Sequence, residues 1–89
     1  METNRSTIGI EVCIEDASYA ESAVRAGANR IEMCSALDLG GLTPTTQSVR
    51  KALYSGVPVT AMARIRPGDF VLNDDDIAIL QEEITAQIE

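Results

Sequence analysis

Ile10-Glu11-Val12-Cys13 recurs farther along the chain as Ile31-Glu32-Met33-Cys34, and the fold is read outward from this pair. Each copy sets a carboxylate and a thiol two residues apart, between branched or long apolar side chains. Strand side chains alternate with period two, so Glu and Cys of each copy share one face while Ile and Val or Met take the other. A third strand-like run, Val57-Pro58-Val59-Thr60-Ala61-Met62-Ala63-Arg64-Ile65-Arg66, sets Met62, Arg64 and Arg66 on one face. With the three runs as neighbours in one sheet, two Glu, two Arg and two Cys converge on one surface. Ile10, Val12, Ile31 and Met33 then belong to the opposite, helix-covered face.

Helical signals separate the runs. The first strand is expected over residues 8–14. Asp16 can cap a helix over 17–26, with Ala17, Ala20, Ala23 and Val24 on one narrow face and Gly27 as its stop. The second strand covers 29–34 and is followed by a loop to Leu42. Thr43-Pro44 reads as a cap and first helical residue, opening a helix to about Ser55 with Val49, Ala52 and Leu53 inward. The third strand is expected over 58–65. Pro67-Gly68-Asp69 turns the chain, and Asn73 or Asp74 caps a last helix with Ile77, Leu80, Ile84 and Ile88 at helical spacing. Strands alternating with helices indicate an α/β fold of parallel βα repeats joined by right-handed crossovers. Three strands cannot close a barrel, and helical periodicity runs on without a stop signal, so the chain reads as truncated. The expected organisation is a disordered polar N-terminus over 1–7 and a partial barrel domain of three βα units over 8–89.

Composition narrows the function. The 89 residues are 45% hydrophobic and 24% charged, as in a soluble globular domain. A net charge of −7 with only seven Lys and Arg argues against nucleic acid and against an anionic membrane surface. No apolar run reaches the length of a membrane span, and residues 1–7 lack the apolar core of a signal peptide. A cytoplasmic protein is expected, with its two cysteines as thiols. The sequence holds no histidine, which removes His-based catalysis and ligation.

At Ile10–Cys13, Ala26–Cys34 and Gly40-Gly41-Leu42-Thr43-Pro44 the sequence resembles the CutC family, over about residues 8–84. Met62–Phe70 is similar to the family's M-I-R-P-R-G-G-D-F: Arg64, Arg66, Gly68, Asp69 and Phe70 match it, while Ile65 replaces Pro and Pro67 replaces Gly. The resemblance implies the N-terminal portion, roughly a third, of a copper-homeostasis protein with a (β/α)8, or TIM, barrel. It also implies Cu(I) binding at Cys13 and Cys34, and association into homo-oligomers or membership of a longer chain.

In such a barrel the C-terminal strand ends build the site. Cys13 and Cys34 close adjacent strands about 4.8 Å apart, a spacing that suits one Cu(I) ion. The alternative is that each is a small buried apolar residue. Glu11, Glu32, Arg64 and Arg66 read as a polar network in the barrel interior, either structural ion pairs or a general base with arginines clamping an anion. Gly40-Gly41 can offer backbone N–H groups to an anion or simply relax the loop. The acidic run Asp74-Asp75-Asp76 reads as a helix cap complementing the macrodipole. The leading expectation is a CutC-like protein that binds Cu(I). Its alternatives are a TIM-barrel enzyme acting on a small anionic metabolite, and a truncated fragment without independent activity.

Overall fold

The computed structural model describes residues 8–88; the expected disordered segment 1–7 lies outside them. Three short strands, β1 (Glu11–Ile14), β2 (Arg30–Met33) and β3 (Val59–Ala61), form one parallel sheet in that order. The register sets Cys13 opposite Glu32 and Met33 opposite Ala61. A 3-10 turn (Ala17–Tyr19) and helix α1 (Ala20–Arg25) join β1 to β2. Helix α2 (Thr46–Leu53) joins β2 to β3, and α3 (Asp74–Ile88) follows. The result is strand–helix three times over, with β1 and β3 as sheet edges among the described residues.

Alternation works as the repeat implies. Ile31 and Met33 on the central strand are fully buried against Ile14, Ala17, Ala20, Ala28, Val49 and Ala52, with Val12, Val59 and Ala61 half-buried beside them. Alanines at the helix contacts let backbone approach backbone, which suits a core with few aromatics. Ile10 is the exception on this face. It precedes the ladder and is exposed, because its N–H donates to Asn29 Oδ1 and its carbonyl accepts from Asn29 and Arg30 N–H outside the helical cover.

Element boundaries depart from the sequence reading where one hydrogen bond outcompetes another. The helix expected over 17–26 divides, because Asp16 accepts from Ser18 N–H and tightens the first turn into 3-10 form. Helix α2 is capped by Thr45, whose Oγ1 accepts from Ser48 N–H at 3.1 Å, and not by Thr43. Thr43 is used elsewhere: its hydroxyl donates to Arg64 O at 3.0 Å and accepts from Arg64 N–H at 2.8 Å. That clamp also ends β3 early. Met62 N–H still reaches Met33 O, but Arg64 turns its backbone to Thr43 instead of a strand.

At the third helix Asn73 caps, and the box is reciprocal: Asp76 N–H donates to Asn73 Oδ1, and Asn73 N–H to Asp76 Oδ2. The same buried carboxylate grips Arg66 through both guanidinium nitrogens. The apolar residues at helical spacing on α3 are for the most part not buried. Ile77, Ile84 and Ile88 are exposed, since α3 covers only a groove of about 290 Å³ shared with Val49, Leu53, Val59 and Ala61.

Arg66 and the Asn73 N–H hold the Asp76 carboxyl down from 3.8 to about 2. A depressed carboxylate stabilises the fold fully above its ordinary pKa and loses that contribution as pH falls through the lowered one. Helicity of α3 is therefore expected to decline between about pH 4 and pH 2 by circular dichroism. Asp76→Asn should flatten that step and lower Tm at neutral pH; an unaltered acid profile would refute the assignment.

Candidate metal centre

Cys13 lies on the open face of β1, and Cys34 follows the last residue of β2, where its N–H donates to Ile14 O at 2.9 Å. That bond brings the two strand ends together. The Sγ atoms are 3.4 Å apart, well beyond a disulfide bond, and both cysteines are free. Cys34 is 1% exposed and Cys13 faces solvent. Glu32, opposite Cys13 in the register, completes a cluster whose ligand atoms all lie within 4.8 Å of one another.

The loop after Cys34 is a roof for this cluster. Ser35 and Leu42 exchange backbone hydrogen bonds, closing a tight lobe in which Ala36, Gly40 and Gly41 all take positive φ. Ala36 at φ 48° is strained for a residue with a Cβ, and its position two residues from Cys34 fits the tendency of strain to gather at working sites. Leu37 N–H donates to Glu15 Oε1 at 2.7 Å and ties the lobe to the end of β1. A Cβ on the buried Gly41 would stand 3.1 Å from Met62 Cε and 3.8 Å from Cys34 Sγ, so glycine leaves the space over the thiols open.

The expected polar residues are not brought together. Glu11 pairs with Arg30 at 3.5 Å on the surface, and Arg66 pairs with Asp76. Arg64 passes over Gly40, donates to the carbonyls of Leu39, Gly41 and Gly68, and stacks on Phe70 with 4.6 Å to the ring centre. The physical reason is the short third strand: beyond Ala61 the chain leaves the sheet, so Arg64 reaches loop carbonyls and Arg66 reaches the first turn of α3. Glu32 instead joins the cysteines. Its spacing in the Ile-Glu-Met-Cys repeat already put it on their face; the cross-strand register that sets it beside Cys13 is absent from sequence alone. Thr43 and Asp76 read in the sequence only as capping residues, and their pairing with Arg64 and Arg66 depends on contacts between separate segments of the chain.

Electrostatics keep both thiols protonated at neutral pH. Burial pushes the Cys34 thiol up to about 12, with the Cys13 hydrogen bond and the Glu32 and Glu11 charges adding to it. Cys13 is raised by burial first and then by the Glu32 carboxylate, against a lowering hydrogen bond from Cys34. Glu32→Gln removes that neighbouring charge. Alkylation of Cys13 by iodoacetamide should then quicken several-fold, since thiolate content grows about tenfold for each unit by which a thiol pKa falls. Peptide mapping by mass spectrometry would measure it, and an unchanged rate would mean that the carboxylate does not act on the thiol. What the cluster offers chemically is two soft sulfur donors, one sheltered and one accessible, beside a hard carboxylate.

The comparisons with known proteins bear on this arrangement. A family model described as the CutC family matches residues 8–89. A CutC family protein of Vibrio atlanticus is 50% identical over 78 residues, covering 86% of this chain and 32% of its own length. The copper homeostasis protein cutC homolog of Caenorhabditis elegans is 43% identical over 83 residues, covering 91% of this chain and 33% of its own. The crystal structure of the putative copper homeostasis protein CutC from Streptococcus agalactiae superposes with a TM-score of 0.83 at 31% identity, covering 92% of this chain and 41% of that one. The chain spans about a third of the length of these curated relatives, and its three parallel βα units are those of an open portion of a TIM barrel. The family match reaches every residue after the seventh, and the chain belongs to the CutC family.

Proposed function

We propose that the chain serves copper homeostasis by holding Cu(I) between Cys13 and Cys34. The observation that carries this reading is the pair of free thiols with Sγ atoms 3.4 Å apart, one buried and one open to solvent. Sulfur donors select soft Cu(I), whereas Mg²⁺ and Ca²⁺ call for several oxygens. Metal–sulfur bonds of about 2.3 Å, the length found for zinc, let one ion join sulfurs up to about 4.6 Å apart. The pair therefore fits an ion without moving either strand. Cys13 is the point of entry and Cys34 the sheltered ligand, fixed through its backbone bond to Ile14. Each thiol gives up its proton as it binds, so affinity rises with pH. Two relatives whose names concern copper homeostasis agree with this role.

A reducing compartment keeps such thiols available, and the cytoplasm is where we place the chain. An enzyme acting on a small anion has less support: Arg64 and Arg66, which would clamp the anion, are already engaged by carbonyls, Phe70 and Asp76. Anaerobic titration of the reduced protein with Cu(I) against a chromophoric chelator tests the copper reading. One Cu(I) per chain, undisturbed by excess Mg²⁺ or Ca²⁺, is expected. Failure to compete with the chelator would overturn it, as would equal binding by a chain lacking both thiols.

A further inference from the structure

We infer that Met62 supplies the third ligand of the Cu(I) site through its thioether sulfur, an inference that rests on the copper reading above. Two sulfurs 3.4 Å apart, each about 2.3 Å from a shared ion, subtend roughly 95° at it. That is far from a straight line, so the cysteines occupy one side of the ion and leave the other open to a further donor. Two side chains are placed to fill it, Glu32 and Met62.

Met62 is positioned by the sheet. Its N–H donates to Met33 O at 3.0 Å, which continues the β2–β3 register by one residue and sets Met62 beside Cys34. Alternation puts it on the face of Glu32 and Thr60. The gap over Gly41 brings the two sulfur residues to one place: Met62 Cε and Cys34 Sγ both lie within 4 Å of the point that a Cβ there would occupy. The thioether sulfur is one bond from Cε, and an unbranched methionine with three rotatable bonds can turn it toward the thiols.

Charge and softness choose between the two donors. Cu(I) between two thiolates is already a net anion. The Glu32 carboxylate, whose oxygen lies within 4.8 Å of both sulfurs, makes the surroundings more negative. The Arg64 guanidinium is held by the carbonyls of Leu39, Gly41 and Gly68 and by the Phe70 ring. A third carboxylate ligand would add negative charge and offer a hard oxygen to a soft ion. A thioether is neutral and soft, and it keeps its donor atom at every pH. Met62 wins on both counts.

Two measurements on the full chain test this. In the selenomethionine-labelled, Cu(I)-loaded protein, absorption at the selenium edge should contain a copper neighbour, and the copper edge should contain two sulfurs and one selenium. Among the described methionines Met33 is fully buried on the opposite face, which leaves Met62 as the origin of such a signal. Met62→Leu, which keeps the packing volume, should remove the selenium neighbour and weaken Cu(I) about ten-fold in chelator competition. No copper–selenium contact in the labelled protein would overturn the assignment, whether or not the Leu variant folds. So would an oxygen in the third position, or unchanged affinity in Met62→Leu. If Cys13→Ser/Cys34→Ser abolishes binding while those results appear, the two-cysteine reading stands and Met62 alone falls. Full binding by the double serine variant would bring down both.

Discussion

Replacing Cys13 and Cys34 together with serine is expected to weaken Cu(I) binding on the order of a thousand-fold or more, about 4 kcal/mol at 1.4 kcal/mol per tenfold. Serine is nearly the shape of cysteine but presents a hard hydroxyl that does not ionise near neutral pH, so the ion loses two thiolates while packing is almost preserved. The two positions separate cost from function. Cys13 faces solvent, and its substitution should leave the fold as it is. Cys34 is 1% exposed, and a hydroxyl there must find a partner or pay a desolvation cost of about 1–3 kcal/mol. Chelator competition should therefore be read beside urea unfolding, with Cys13→Ser alone as the variant that weakens binding without destabilising. Full retention of affinity by Cys13→Ser would mean that the exposed thiol is no ligand.

The first two strands were legible because their pattern is self-sufficient: Val12, Ile14, Ile31 and Met33 alternate with polar residues, and burial follows. The third was drawn too long. Nothing local in Ala63-Arg64-Ile65 says that Thr43 will capture the Arg64 backbone, because that competition is between segments far apart in sequence. The same event hid the true cap of α2, where Thr43, Thr45 and Thr46 all have the chemistry and only the partners of Thr43 decide. For the site, the repeat placed both cysteines on one face, while the union of Glu32 with them depended on register. Arginines and glutamates are natural partners by charge, yet the short third strand sends Arg64 to loop carbonyls and Arg66 to Asp76 at the start of α3. On α3 the helical spacing of Ile77, Leu80 and Ile84 foretold the helix and not its burial. Burial needs a surface to pack against, and among the described residues α2 and β3 provide only part of one.

The second large effect concerns the core on which the site stands. Ile31→Ala is expected to cost about 2–5 kcal/mol, since Ile31 is fully buried at the centre of the central strand and its neighbours are too firmly held to close the cavity. A chain of this size has a total stability of only about 4–13 kcal/mol. Among the described residues β1 and β3 are sheet edges and α3 is half-covered, which puts it toward the lower end, so the variant should be extensively unfolded at 25 °C or have a strongly reduced urea midpoint. Leu53→Ala, at a position that is 51% exposed, should shift the midpoint far less. The consequence reaches the metal centre, because Ile31 lies one residue from Glu32 and three from Cys34 on the same segment. Losing β2 separates the two thiols, and anything that binds only the assembled pair must pull the fold back. Cu(I) at a hundred times its dissociation constant should restore about 2.7 kcal/mol to the variant, less whatever the unfolded thiols bind. A rise in the urea midpoint of Ile31→Ala on adding Cu(I), absent when the cysteines are serine, would tie the core to the site. A midpoint indifferent to copper would mean that the ion does not recognise the folded arrangement of Cys13 and Cys34.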